Sequence, residues 1–177
     1  NQEDSYGWQN SWGITTRSIG MAVMMHSDDK GLVLPPKVAL HQVVIVPILF
    51  DKTKEDVLKE ARSLKEKLEK IGISVHLDDR EGYSPGWKFN QWELKGIPVR
   101  VELGPRDIES KQAMVARRDT GEKQAFPLAG LVDDIAKIME QIQQNLFEKA
   151  EKFLKNSIVC EPEDSAKEIR DGKIVFV

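Results

Sequence analysis

The sequence predicts an α/β fold: a mixed, mostly parallel sheet flanked by helices. Three observations carry the prediction. Residues 42–49 (QVVIVPIL) form a near-continuous apolar run, the pattern of a strand buried on both faces. Two stretches of helical periodicity, 53–71 and 84–95, alternate with two further apolar runs, 73–77 and 97–103. The order strand, helix, strand, helix, strand implies right-handed crossovers between parallel neighbours.

The first element precedes that unit. Residues 13–17 predict a strand, and 18–26 a short apolar helix carrying Met21, Met24 and Met25 at core spacing. Ser27-Asp28-Asp29-Lys30-Gly31 is a turn, and Pro35-Pro36 marks a boundary. In the helix 53–71, Leu58, Ala61, Leu64, Leu68 and Ile71 make the apolar stripe, with Thr53 as cap and Gly72 as stop. Ser84 and Pro85 open the next helix, which Gly96-Ile97-Pro98 ends. Residues 112–117 and 123–126, joined by Asp119-Thr120-Gly121, predict a hairpin. Pro127 is expected to start a long helix running to about residue 156, buried along Leu131, Ile135, Ile138, Ile142, Leu146 and Phe153. A short helix, 164–170, and a strand, 173–177, complete the chain. Three regions follow: 1–40, 41–156 and 157–177.

Composition narrows the function classes. With 177 residues and 40% hydrophobic content the chain can bury a core, so wholesale disorder is not expected. The net charge of -3 rules out a uniformly basic coat, so contact with nucleic acid needs a local basic patch. Cys160, the single cysteine, is expected to be a half-buried hydrophobe; one thiol makes neither an internal disulfide nor a Cys-rich zinc site and suits a reducing, cytoplasmic setting. No apolar run reaches the roughly 18–20 residues that span a bilayer, so no membrane partner is expected. The polar start, NQEDSYGW, is no targeting signal and lacks Met, as expected of a piece of a longer protein.

The segment 78–107, DDREGYSPGWKFNQWELKGIPVRVELGPRD, is richest in candidate site residues. Phe89 and Glu93 lie four apart on one side of a helix; Lys88, Trp92 and Lys95 share the next side. An exposed Phe can stack on an unpaired base, and a nearby carboxylate can accept two hydrogen bonds from it, the usual manner of sequence-specific RNA recognition. Guanine suits Glu93 because its Watson–Crick edge offers two adjacent donors. Arg100 alternates with Val99 and Val101 and faces away from the side they bury. Arg suits guanine's O6 and N7. Arg106 and Asp107 follow the strand, as a base-reading pair or as a plain turn ion pair. These groups are expected to converge at the carboxyl end of the sheet, where open α/β sheets bind ligands. Lys88 is expected to meet phosphate; Trp87, Trp92 and Leu94 are expected core anchors. Arg117, Arg118 and Lys123 form a second basic cluster, for phosphate or for solvent. His26, His41 and His76 have no acidic or Cys partners at metal-ligand spacing and are read as structural.

YSPGWKFNQWELKG followed by IPVRVELGPRD resembles the anticodon-binding domain of prolyl-tRNA synthetases of the eukaryotic and archaeal type. WQNSWGITTRSIG resembles the third signature motif of class II synthetases in its prolyl version, and GLVLPPKVA the exit from their catalytic core. The resemblance covers nearly the whole chain. It makes residues 1–40 the end of a class II catalytic core, 41–156 the anticodon-binding domain, and 157–177 the start of an appended domain. It implies that Phe89 stacks in the anticodon pocket while Glu93, Arg100, Arg106 and Asp107 contact the two guanines of proline anticodons. Arg106 departs from the Lys of bacterial relatives of this type, and Asn10 stands where many relatives have Thr. Arg17 and Thr15 match ATP contacts, with a fixed cation placed beside the polyphosphate; Trp12 and Gly13 match the proline pocket.

The implied parent is a ligase that activates proline with ATP and Mg2+, then charges tRNA(Pro), working as a homodimer through its catalytic core. Its motifs 1 and 2 and any zinc-binding tail are not in this sequence. This chain alone is expected to be inactive and to hold no metal. The alternative is a non-catalytic tRNA-binding module derived from the same domain.

Overall fold

The computed structural model describes residues 7–50, 53–160 and 165–176, without the side chains of Cys160, Ser165 and Phe176. The acidic start of the chain, the beginning of the last helix at Asp164, Val177 and the burial of Cys160 lie outside the described residues.

Five strands form the main sheet: β1 (Val43–Pro47), β2 (Val75–Leu77), β3 (Val99–Leu103), β4 (Gln112–Arg117) and β5 (Lys123–Pro127). Their order is β2-β1-β3-β4-β5. β2, β1 and β3 are parallel, with Val43 beside both Val75 and Val99; β4 and β5 add as antiparallel neighbours. The mixed, mainly parallel sheet predicted from the alternation is therefore present. All five residues of β1 are buried, as an all-apolar strand at the centre of a covered sheet must be.

Helices α2 (Lys54–Lys70) and α5 (Leu131–Ser157) cover one face. Val43, Ile45, Val99, Val101 and Val115 meet Leu64 and Leu68 of α2 and Ile135 and Ile142 of α5 in one core. Helix α3 (Pro85–Leu94) covers part of the other face, where Trp92 and Ile97 pack on Val44 and Val46. The short α4 (Pro105–Glu109) follows β3. Near the carboxyl terminus, β6 (Ile158–Cys160) and β7 (Ile174–Phe176) pair in parallel, with α6 (Ser165–Arg170) between them in sequence. No helix among the described residues is long and apolar enough to cross a membrane.

Several elements depart from expectation. Residues 13–15 form no strand; α1 (Arg17–His26) follows directly on a turn at Thr16 and buries none of its residues. Met21, Met24 and Met25 are exposed and line an open apolar hollow of about 420 Å3 with Ala150 and Phe153. Among the described residues, only the far end of α5 lines that hollow with α1. Phe153 is likewise exposed, because α5 has by then run past the sheet. On α2 the buried stripe is Val57, Ala61, Leu64 and Leu68, with Leu58 one position off it and Ile71 outside the helix. Pro127 ends β5 rather than starting α5; the helix begins after Gly130, whose φ of 93° turns the chain.

The segment after α1 is fastened to the end of α3. Leu32 N–H donates to the Leu94 carbonyl at 3.0 Å and Leu34 N–H to that of Gly96 at 3.1 Å. The backbones approach so closely that a Cβ at Gly96 would lie 2.5 Å from the Leu32 carbonyl oxygen, and one at Gly31 would lie 2.7 Å from Leu94. Both glycines also have positive φ.

Candidate functional site

Helix α3 begins where Ser84 Oγ accepts a hydrogen bond from Trp87 N–H at 3.3 Å, with Pro85 in the first turn. Its inner side carries Lys88 and Trp92, both buried. They share one partner, Asp78 at the end of β2. Trp92 Nε1 donates to Asp78 Oδ2 at 2.7 Å, Lys88 Nζ donates to the Asp78 carbonyl at 3.0 Å, and Arg80 grips the carboxylate through two bonds of 2.8 and 2.7 Å. Burial alone would raise the Asp78 pKa. The hydrogen bonds from Arg80 and Trp92 and the Lys88 charge outweigh it and hold the carboxyl well below the usual carboxylate range.

Lys88 is therefore not a surface phosphate contact in this structure, a correction to the sequence reading. It lies i, i+4 from Trp92 and is drawn inward with it, to a carboxylate that spacing did not reveal. Trp87 and Leu94, expected in the core, are exposed instead. Trp87 stacks on Tyr83 with ring centroids 4.1 Å apart.

The outer side of α3 carries Phe89 and Glu93, as the spacing predicts. Beside them lies the part of the sheet that α3 does not cover. Register places Arg100, Ala116 and Lys123 in a row across β3, β4 and β5. Arg100 faces away from the valine core, as its alternation requires, and its guanidinium lies 4.7 Å from the Phe89 ring centre; the Lys123 ammonium is 5.6 Å from it. Glu102, two residues after Arg100 on the same face and only 3% exposed, accepts from Arg100 Nε at 3.1 Å through Oε1 and from Lys123 Nζ through Oε2. A hollow of about 210 Å3 opens here, lined by Lys30, Glu93, Arg100, Ala116, Arg118 and Lys123 among others.

Among the described residues, Glu93 makes one ion pair, with Lys30 at 3.6 Å, and part of its carboxylate stays free. The helix end that bears it is pinned by Arg118. That buried guanidinium donates to the Glu93 carbonyl at 3.0 Å and to both oxygens of Asp28 at 2.7 and 2.6 Å. The Arg118 hydrogen bonds hold the Asp28 carboxyl well below its ordinary range. Arg117 is taken up by Asp119 and Gln141. Arg117 and Arg118 also line the hollow, but their guanidinium groups are held by these partners; Lys123 is the member of the second basic cluster that lies beside Phe89.

Arg106 and Asp107 lie elsewhere, in a separate hollow with Ile48, Phe50 and Gly104 at the carboxyl end of the parallel strands. Asp107 Oδ2 accepts the Gly104 N–H at 2.8 Å, so the carboxylate caps its own turn and makes no ion pair with Arg106. Arg106 is exposed, with no side-chain hydrogen bond or ion pair to any described residue. The expected convergence of all five groups at the carboxyl end is thus corrected. A crossover helix runs back against its strands, so α3 takes Glu93 toward the amino end, where Arg100 sits second in β3. Glu102 and Lys30 were missed as site residues, and Lys123 was placed in a separate basic cluster. Alternation alone put Glu102 beside Arg100, but the hairpin register was needed to bring in Lys123.

Trp12, Gly13 and Thr15 are exposed and outside regular structure, and Arg17 is the exposed first residue of α1. The structure brings none of them to the Phe89 surface.

Residues 42–138 match the anticodon binding domain family. The chain is 46% identical over 178 residues to a proline–tRNA ligase of Rubrobacter xylanophilus, across 100% of this chain and 37% of that protein. It is 53% identical over 149 residues to one of Prosthecochloris aestuarii, across 84% of this chain and 31% of that protein. To the bifunctional glutamate/proline–tRNA ligase of Cricetulus griseus it is 44% identical over 182 residues, across 99% of this chain and 12% of that protein. The chain spans about a third of the length of the bacterial relatives it matches.

Proposed function

The chain belongs to the anticodon-binding domain family, and from that premise we propose that it is the carboxyl-terminal part of a proline–tRNA ligase, in which it selects tRNA(Pro) by its anticodon guanines. The observation that carries the proposal is the hollow lined by Glu93 and Arg100, with the Phe89 ring against the Arg100 guanidinium. The Glu93 carboxylate accepts the two adjacent donors of a guanine Watson–Crick edge in place of the Lys30 ammonium. Arg100 presents a guanidinium plane backed by the Phe89 ring, a surface on which an unpaired base stacks. Arg106, exposed beyond β3, serves the second guanine through O6 and N7. Asp107 supports it by fixing the turn.

The parent would join proline to ATP, giving prolyl-adenylate and pyrophosphate, and pass the prolyl group to the 3′ end of tRNA(Pro). Arg17 and Thr15 are its ATP contacts, and Trp12 and Gly13 belong to its proline pocket. One cation and one hydroxyl do not make a nucleotide site by themselves. Among the described residues no three His, Cys, Asp or Glu side chains cluster to hold an ion, so no step through Mg2+ is derived from this chain. The exposure of Trp8, Trp12, Ile14 and Met24 favours the ligase over a free-standing binding module, because apolar surface of that kind calls for cover.

The test is binding of the chain to a tRNA(Pro) anticodon stem-loop, against one with adenines in place of the two guanines. Glu93→Ala and Arg106→Ala are each expected to weaken guanine binding by about 1–3 kcal/mol and to narrow the preference over adenine. Variants that bind both RNAs as the unaltered chain does would remove these residues from the site.

A further inference from the structure

A different hollow, of about 250 Å3, opens at the end of α3 away from Glu93. It is bordered by Pro47, the last residue of β1, by Arg80, which follows β2, and by Pro85, the first residue of α3. It therefore lies at the carboxyl end of the parallel strands. Tyr83 lines it as well. Trp87 covers one face of the Tyr83 ring, with 4.1 Å between centroids and 17° between planes. Tyr83 is nevertheless 49% exposed, so the ring keeps a surface open to solvent. The Arg80 guanidinium lies 5.4 Å from both ring centres and is itself bound by the buried Asp78 carboxylate and by Gln91 Oε1 at 2.7 Å. One fixed cation thus ties the two rings to the core. Phe50, 61% exposed, lines this hollow and also the one that holds Arg106. The two hollows are neighbours along the carboxyl end of the sheet.

Three large rings left exposed beside one hollow mark an interaction site. The polar groups narrow the class of ligand. Lys54 is paired with Glu81, while Arg80 and Lys88 are both committed to Asp78. No other charged side chain among the described residues lines the hollow. What it offers is ring surface, with no charged group set to read the edge of a base. That is the chemistry of stacking, which accepts every base because each has a π-face.

We propose that this hollow is a stacking subsite for one nucleotide adjoining the two guanines in the RNA loop, held by Tyr83 and Phe50 whatever its base. This rests on the RNA-binding reading of the chain, in which Arg106 meets the second guanine, and extends it to a part of the surface that reading does not use. A strand with its guanine at Arg106 passes Phe50, and the next base turns onto the Tyr83 ring. Selection stays with Glu93, Arg100 and Arg106; the subsite adds affinity without preference.

The experiment measures binding of the full chain to the tRNA(Pro) anticodon stem-loop at several salt concentrations. The nucleotide before the guanine pair, and in a second series the one after it, carries each of the four bases or none. For the unaltered chain, removing the base at one of these two positions is expected to weaken binding about tenfold, as for one stacked base, while the four bases there bind alike. Tyr83→Ala is expected to bind the intact loop about tenfold more weakly and to abolish the effect of the missing base, with the salt slope unchanged. Tyr83→Phe, which keeps the ring, is expected to bind as the unaltered chain does. Circular dichroism reports whether the variants are folded. If Tyr83→Ala is not, Phe50→Ala decides in its place by the same two readings, since that ring is the more exposed.

The proposal is overturned if Tyr83→Ala binds unchanged, or if the variant still loses affinity when the base is removed. A strong preference for one base at that position overturns it too, because it requires an edge contact. Equal binding of loops with guanines or adenines at the pair defeats the guanine reading and leaves the Tyr83 result standing. A chain that prefers guanine but is indifferent to both missing bases and to Tyr83→Ala defeats this proposal alone.

Discussion

Asp78 has no exposed surface, and its charge is kept by Arg80, Trp92 and Lys88. Removing it by Asp78→Ala leaves the buried Lys88 ammonium without a counter-charge. We expect a loss of roughly 3–5 kcal/mol, read as a lower urea midpoint. Because the folded-state pKa of Asp78 is depressed, its contribution is present above the unfolded value of about 4 and is lost as pH falls below it toward the folded one. His76 acts in a higher window. Its ring lies between His41 at 5.2 Å and Trp92 at 4.8 Å. Burial, then the His41, Arg80 and Lys65 charges, lower its pKa against the pull of Asp78. The unfolded chain thus takes up the proton first, and stability falls as pH drops below about 6.5. Thermal unfolding between pH 7.5 and 5.5 is expected to show this fall, and His76→Gln to flatten it in part. None of this was legible residue by residue. The sequence showed Lys88 and Trp92 on one side of a helix, but only the fold supplies the carboxylate that makes burial of a lysine tolerable.

At the level of elements, β1 and the cores of α2 and α5 could be read because burial on one or both faces leaves a strong period. Phe89 and Glu93 could be placed on one flank of α3 for the same reason. What failed were the ends and the covers. Pro127 reads as a helix start, yet a proline is equally at home closing an edge strand, and β5 is an edge. An apolar stripe such as Met21, Met24 and Met25 shows that a face wants covering, not that anything in the same chain covers it. The junction between α3 and the strand after it depends on close backbone contact at Gly96, with φ of 73°. Gly96→Ala would place a methyl carbon against the Leu32 carbonyl in a conformation that L side chains rarely adopt. It is expected to cost on the order of 1–3 kcal/mol, seen as a lower urea midpoint at unchanged slope.

Over the whole molecule, the site exists because α3 is narrower than the sheet. It covers β1, reaches His76 of β2 through Trp92, and leaves the outer face of β3, β4 and β5 to the row of Arg100, Ala116 and Lys123. That the first three strands run parallel was foreseeable from the alternation of elements; their order, and how far across the sheet a ten-residue helix reaches, were not. The same scale governs activity. With a third of the length of its bacterial relatives and only a few of the expected ATP and proline contacts, the isolated chain is expected to show no proline-dependent exchange of pyrophosphate into ATP while still binding the anticodon stem-loop. Exchange by the chain alone would contradict that division of labour. The Arg118 clamp adds a mechanical consequence. Asp28, the Leu32 and Leu34 amides and the end of α3 are tied together by the Arg118 guanidinium and two backbone hydrogen bonds. A pivot placed there would have to break an ion pair and two backbone bonds together. The segment after α1 and the end of α3 are therefore expected to move as one body.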